Sequence, residues 1–507
     1  MVRVVPLLIV AISAILLPVL VNVIGAGEAS SPQVPTAQNR PPKPSGVQIL
    51  HAVEGSISCG NQGCHGRLDP LPQHPLLLNE ATTWFSKDPH SGAYEILKEE
   101  RSRLIADRLN GPGKPAHLDA RCLACHANPT VAKFAQEHQK DLWDNLELAR
   151  ELDRFATKGT GVGCESCHTS PGHSTGEYLA KHVDWGPTSL GQSDWKSAGR
   201  LDAWESAGLA PLTRPATLVG LCSSCHVGGP GSALEPARDC DHDIMAAGHP
   251  RLIFDAATYL SRLPSHWNTK QYKDPESRMA GVHVAGQAVA AQKVVSLSAV
   301  HARRESGPWP EFSDMDCFSC HAELLPSSSS WRHRGWLSGN LGRSVRPGRF
   351  VANGMPVALT VALSGQPKAE LAMEAWMKAI GAGRKSEVTG SADGLLVELE
   401  KWLMEAKAFE DIPLAKRSEL LRRLADPAGK AIESGRWDEA EAFTVAMYWL
   451  SRGQKPGPES DMFDAAFAAL AFPKGYQGPH GFHQTEKFQA MKTLANWFRN
   501  QPGRPSP

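Results

Sequence analysis

The sequence has no net charge: Lys+Arg and Asp+Glu are both 53 in 507 residues. Without a basic excess nothing drives counterion release from phosphates, which disfavours nucleic acid as the partner. Beyond Ile24 there is no long apolar run, and cysteine is missing from the whole C-terminal third, after Cys320. The eleven cysteines are an odd number, so a fully paired disulfide framework is excluded unless one thiol stays free. With 41% hydrophobic residues, the chain is long enough for two or three domains and a real core.

Arg3 precedes an apolar stretch from Val4 to Ile24, followed by Gly25, Ala26, Gly27, Glu28 and Ala29. One positive charge, an apolar run and small residues describe a secretory signal over residues 1–29, cleaved after Ala26 or Ala29. The run is also nearly long enough to span a bilayer, so an uncleaved N-terminal membrane anchor is the other reading. Pro6, Pro18 and Asn22 weaken that helix. Either way the body is expected to be exported, to a periplasm or an equivalent compartment. Residues 30–46, with Pro32, Pro35, Pro41, Pro42 and Pro44, read as an extended linker.

Four copies of one pattern follow: Cys122-Leu-Ala-Cys125-His126, Cys164-Glu-Ser-Cys167-His168, Cys222-Ser-Ser-Cys225-His226 and Cys317-Phe-Ser-Cys320-His321. C-x-x-C-H is the spacing of covalent haem attachment. Two thiols add across the two vinyl groups of one haem, and the adjacent imidazole reaches the iron as proximal ligand. Structural zinc would not demand a His at the same offset each time, and a dithiol redox motif explains neither the His nor the number of copies. Cys59-Gly-Asn-Gln-Gly-Cys64-His65 is a fifth candidate, with four residues between the thiols and two glycines to let the loop bulge. Its rival reading is a free thiol pair or a disulfide. Cys240 is left over and reads as a buried, unreactive thiol.

Of the 20 histidines, five belong to these motifs and 13 more fall between His51 and His333; only His480 and His483 lie beyond. Imidazole is the usual second axial ligand of low-potential haems, so this confinement is what bis-His ligation predicts.

Several segments together resemble the cytochrome c-554 family of multihaem c-type cytochromes. They are Asn79-Glu80-Ala-Thr-Thr-Trp84-Phe-Ser-Lys-Asp88-Pro89-His90-Ser-Gly-Ala-Tyr94, Gly161-Val-Gly-Cys164-Glu165-Ser-Cys167-His168, His242-Asp-Ile-Met-Ala-Ala-Gly248-His249-Pro250-Arg251-Leu, and Trp309-Pro-Glu-Phe-Ser-Asp-Met-Asp316-Cys317-Phe-Ser-Cys320-His321. The resemblance covers roughly residues 47–340 and includes the four-spaced first motif. It implies distal iron ligands among His90, His249 and His182, with His242 a weaker candidate and His173 competing with His182. His51, His74, His117, His138, His266, His283, His301 and His333 read as surface or hydrogen-bonded residues. The family often has a second His directly after the last motif. Ala322 stands there, which leaves the last haem's second ligand open between His301 and His333.

The expected fold is mainly α: a low-regularity multihaem cytochrome c domain over residues 47–350 wrapped around about five stacked haem c groups, then a haem-free all-α helical domain over residues 355–500. Within the first, Ala93–Leu109 and Asp141–Phe155 look helical. In the second, Met373/Met377/Ile380, Leu395/Leu399/Trp402, Leu420/Leu421/Leu424, Trp437/Ala440/Thr444/Met447, Phe463/Phe467/Leu470 and Phe488/Met491/Ala495/Phe498 recur at helical spacing. Five to seven helices packed as hairpins are expected.

Two functions fit. The first is an electron carrier that relays single electrons between a redox donor and acceptor. The second is an oxidoreductase with one open-coordination haem acting on a small nitrogen or sulfur compound. A purely structural metal-bearing scaffold ranks behind both. Ten propionates would make the loaded protein acidic, about −5 oxidised and about −10 reduced, and would favour basic docking patches on its partners. Arg121 and Arg251 are candidates to pair with propionates.

Overall fold

The structure, a computed structural model, describes residues 55–73, 76–159, 161–169, 208–232, 235–250, 254–315, 357–433 and 437–453, with isolated positions outside these ranges. The N-terminal apolar stretch, the Pro-rich linker, His173, His182, Arg251, His333 and the motif Cys317, Cys320 and His321 lie outside the described residues. No described helix is long and apolar enough to cross a membrane.

Helix is the dominant element, joined by two isolated β-bridges among the described residues, Thr169–Leu209 and Gly229–Arg238. The fold is therefore mainly α. The N-terminal part is built of short pieces: α1 (Ser56–Cys59), α2 (Glu80–Lys87), α3 (Glu100–Asn110), α4 (Ala120–His126), α5 (Pro129–Glu137), α6 (Gln139–Asp144), α7 (Leu146–Gly159) and α8 (Cys164–His168). Side-chain caps set several of their starts. Asp119 accepts from Arg121 N ahead of α4, and Asn128 from Thr130 N ahead of α5, where Pro129 takes the first helical position. The helix expected over 93–109 is interrupted, because Glu99 is extended (φ −72°, ψ 161°) and separates a 3₁₀ turn at Glu95–Lys98 from α3. The one expected over 141–155 breaks at Asn145, whose side chain accepts the backbone N–H groups of Glu147 and Leu148 and so starts α7. Tyr94, Leu123, Phe134, Leu142 and Leu152 fill the small core of this part.

The second part comprises α9 (Pro215–His226), α10 (His242–Ala246), α11 (Ala256–Arg262), α12 (Pro275–Arg303), α13 (Val357–Ser364), α14 (Pro367–Gly381), α15 (Lys385–Lys407), α16 (Leu414–Glu433) and α17 (Trp437–Ser451). Four of the apolar stripes read from the sequence fall on α14 to α17, and their Met373, Met377, Leu399, Trp402, Leu424 and Met447 are buried. The stripes beyond residue 460 lie mostly outside the described residues.

Helix α12 departs from the expected low regularity of the motif region. It runs for 29 residues, opened by Asp274, which accepts from Ser277 N, with Pro275 in the first turn and His301 and Arg303 in the last. Its Ala, Val and Gly residues are buried on nearly every side. A helix buried all round carries no amphipathic stripe, which is why periodicity does not reveal it. It packs on α9, α11, α13, α15 and α17. Trp376 Nε1 donates to Ser298 Oγ (2.9 Å) and Thr360 Oγ1 to the Gln287 carbonyl (3.0 Å) across these contacts. One hydrophobic cluster consequently runs unbroken from Val219 through α12 to the C-terminal helices.

Candidate haem site

Each described C-x-x-C-H motif lies on a helix: α4, α8 and the end of α9. Positions i, i+3 and i+4 share one helical face, so the two thiols and the imidazole of a motif point the same way. The first motif reaches the same end differently. Cys59 closes α1, and a turn at Asn61 takes up the extra residues: Asn61 O accepts from Cys64 N (2.9 Å) and Gly66 N (3.0 Å). The loop closes so tightly that a Cβ on Gly66 would stand 1.9 Å from Gly60 O. Glycine is required there, a constraint additional to the flexibility of the two glycines inside the motif.

All four described motifs open into one cavity of about 1830 Å³. A pocket for a single small ligand holds roughly 300–1,000 Å³, so this one is sized for several large groups. Its walls are chiefly apolar, with Trp84, Ile105, Leu218, Leu221, Phe254 and Met279 among them. The nine described cysteines form no disulfide. The thiols of Cys59 and Cys164 lie together, and Cys125 Sγ donates to the Cys225 carbonyl (3.8 Å), so the first motif abuts the third and the second abuts the fourth. Cys240 also reaches the cavity, half-buried and 3.5 Å from His249 Nδ1, and burial pushes its thiol up to about 12.

Three motif imidazoles face a second imidazole across the cavity. His226 lies 6.0 Å from His90, His126 lies 6.5 Å from His249, and His168 lies 6.4 Å from His266, measured between ring centroids. Two imidazoles bound at about 2 Å each on opposite sides of one metal have centroids about 6 Å apart. Ring orientation agrees with that use. His90 Nδ1–H donates to Asp88 Oδ1 (2.8 Å), His126 Nδ1–H to the Ala93 carbonyl (2.8 Å) and His249 Nδ1–H to the Pro250 carbonyl (2.7 Å), leaving Nε2 as the lone-pair nitrogen. His65 Nδ1–H donates to Glu80 Oε2 in the same manner (2.9 Å).

Burial lowers the pKa of His126, His249 and His266, and of His226 to about 4, so these rings stay neutral, the form that binds a metal. The carboxylates beside His65 and His90 raise those two instead.

The other sequence candidates are placed as follows. His242 packs its ring edge on Phe312 at 5.4 Å and does not line the cavity. His301, one of two residues considered for the last haem, is held at both nitrogens, by Asp314 Oδ2 (2.9 Å) and Asp239 Oδ2 (2.8 Å), so neither nitrogen is open to a metal. His283 is buried within α12 and donates to Asp255 Oδ2 (2.7 Å). His266, assigned from sequence to the surface or hydrogen-bonded group, instead lies in the cavity wall opposite His168. No motif surrounds it in the sequence, and only its position among the clustered histidines hinted at such a role. Arg121 is half-exposed at the cavity edge and ion-paired with Asp119 (2.7 Å).

Thiol pairs one helical turn from an imidazole, a mostly apolar cavity and imidazoles fixed by hydrogen bonds are the donor set that covalent haem requires. Residues 59–169 match the family model for cytochrome c554 and c-prime. No curated protein and no solved structure matches the chain. That match, which holds the first three attachment motifs, supports assignment of the chain as a c-type cytochrome with covalently bound haem and a role in electron transfer.

Proposed function

We propose that this chain is an exported multihaem relay, carrying about five haem c groups and passing single electrons between a redox-protein donor and acceptor. The single observation that carries this reading is the shared cavity: four attachment motifs open into one space and three of their imidazoles face a second imidazole.

Bound haem c supplies a one-electron Fe(III)/Fe(II) couple. The chain does the rest. Cys59/Cys64, Cys122/Cys125, Cys164/Cys167, Cys222/Cys225 and Cys317/Cys320 are the thioether anchors. His65, His126, His168, His226 and His321 would bind the irons next to their thioether anchors, and His90, His249 and His266 would supply second imidazoles opposite His226, His126 and His168. Asp88, Glu80 and the Ala93 and Pro250 carbonyls lock the ring tautomers, so ligation is preorganised and little rearranges when an electron arrives. The apolar walls exclude water. Contact between Cys59 and Cys164, and between Cys125 and Cys225, sets neighbouring attachment edges side by side, a short path for an electron.

The test is the intact mass of the mature protein with its iron count, combined with oxidised and reduced spectra. A mass increment of five haems and wholly low-spin spectra are expected. Four haems would remove the first motif from the set. A high-spin fraction near one haem in five would favour the open-coordination oxidoreductase, and a colourless folded protein would overturn the reading altogether.

A further inference from the structure

Arg238 is 7% exposed and lines the cavity, yet it has no carboxylate within 4 Å among the described residues. An unpaired buried guanidinium is costly, and proteins keep buried charges paired. The fold nevertheless holds this one firmly. Its Nε–H donates to the Ala124 carbonyl (2.7 Å), directly before Cys125. Its backbone pairs both ways with Gly229 (2.8 and 2.9 Å), three residues after His226. Gly228 makes this approach possible: it sits at φ 112°, where a side chain is strained, and a Cβ there would fall 2.6 Å from Arg238 O. Arg238 is thus fixed between the second and fourth motifs, and its field acts on the sulfurs of both Cys125 and Cys225.

We propose that Arg238 is a fixed cation at the attachment edges of the two haems held by Cys122/Cys125 and Cys222/Cys225, and that its charge raises the reduction potential of both relative to the rest of the chain. This rests on the multihaem reading above. The physical reason is that reduction removes one positive charge from each iron. A neighbouring cation therefore favours the ferrous form. Electrons entering the chain would collect on the pair of haems attached at Cys122/Cys125 and Cys222/Cys225.

The experiment is a spectroelectrochemical titration of the mature protein and of Arg238→Gln and Arg238→Lys, each with haem count by intact mass. A unit charge roughly 10 Å from an iron, at an effective dielectric constant of about 20, changes the equilibrium about tenfold. In Arg238→Gln, two haems should therefore show about a tenfold lower ferrous-to-ferric ratio at fixed potential, or 59 mV for a one-electron couple. The other haems should not move, and Arg238→Lys should stay near the unaltered protein. Curves that superimpose at full haem count, or a shift shared equally by every haem, would overturn the proposal. If Arg238→Gln fails to mature while Arg238→Lys matures fully, the requirement for charge is upheld; if both fail, Arg238 is only a fold element and the proposal is lost. Peptide mapping that finds no haem on Cys122/Cys125 or Cys222/Cys225 would instead sink the multihaem reading.

Discussion

The imidazole of His266 lies 6.4 Å from that of His168, with the two rings inclined at 71°, although the residues are far apart in the chain and no sequence motif links them. Replacing His266 should therefore alter one haem and spare the others. His266→Met is expected to leave the haem count unchanged and to raise the potential of one haem, since methionine ligation raises the potential over bis-imidazole. Low-temperature electron paramagnetic resonance with a redox titration would show one ferric signal displaced. An unchanged spectrum would exclude His266 as a ligand.

Asp88 is buried and accepts both the backbone N–H of His90 (2.9 Å) and its ring Nδ1–H (2.8 Å). Such outer partners of a ligating histidine are worth roughly 10–100-fold in metal affinity. In Asp88→Ala the covalent haem should stay attached while His90 loosens from its iron. Carbon monoxide added to the reduced protein should then bind about one more haem per molecule than in the unaltered protein. No gain in binding would mean that Asp88 does not orient His90.

His301 bridges Asp239 and Asp314, joining the end of α12 to the loop before α10 and to the turn that leads into the last motif. Burial alone would push this imidazolium down, but hydrogen bonds to both carboxylates outweigh it and hold the group at about 10. A group whose pKa is raised on folding lends stability that is complete below its unfolded value, about 6.5, and is lost as pH rises through the folded value. Between pH 6.5 and 10 the native protein should therefore lose stability, with a slope no steeper than about 1.4 kcal/mol per pH unit from this group. Thermal melts of the unaltered protein and His301→Gln at pH 7 and pH 9.5 check this. The gap between the two should narrow at the higher pH, and a gap that widens would reverse the sign.

Trp376 is fully buried on α14 and donates to Ser298 on α12, the helix that also packs on α9, which ends in a haem motif. Trp376→Ala should cost about 3–5 kcal/mol, as large-to-small changes in a core do. Because one hydrophobic cluster joins α9, α12 and the C-terminal helices, unfolding followed at the haem bands and by far-ultraviolet circular dichroism should shift together in denaturant. Two separated transitions would show that the C-terminal helices unfold on their own.

The covalent chemistry was legible because it is local. Two thiols and an imidazole within five residues write their own function, and one helical turn suffices to aim them. The match of residues 59–169 to the cytochrome family model agrees with that reading. Helices α14 to α17 were legible for a similar reason: half-buried helices keep an apolar stripe at Met373/Met377/Ile380 or Leu395/Leu399/Trp402. Three features were not legible. Helix α12 is apolar on nearly all sides and leaves no stripe. His266 and His301 look alike in the sequence, yet one faces His168 across a cavity and the other is clamped between two carboxylates. The buried, unpaired Arg238 reads from sequence as any surface arginine. Attachment of a prosthetic group needs only neighbours along the chain, which sequence records. The opposite ligand, the shared helix and the fixed charge come from segments distant along the chain, and only the packing of the folded chain brings them together.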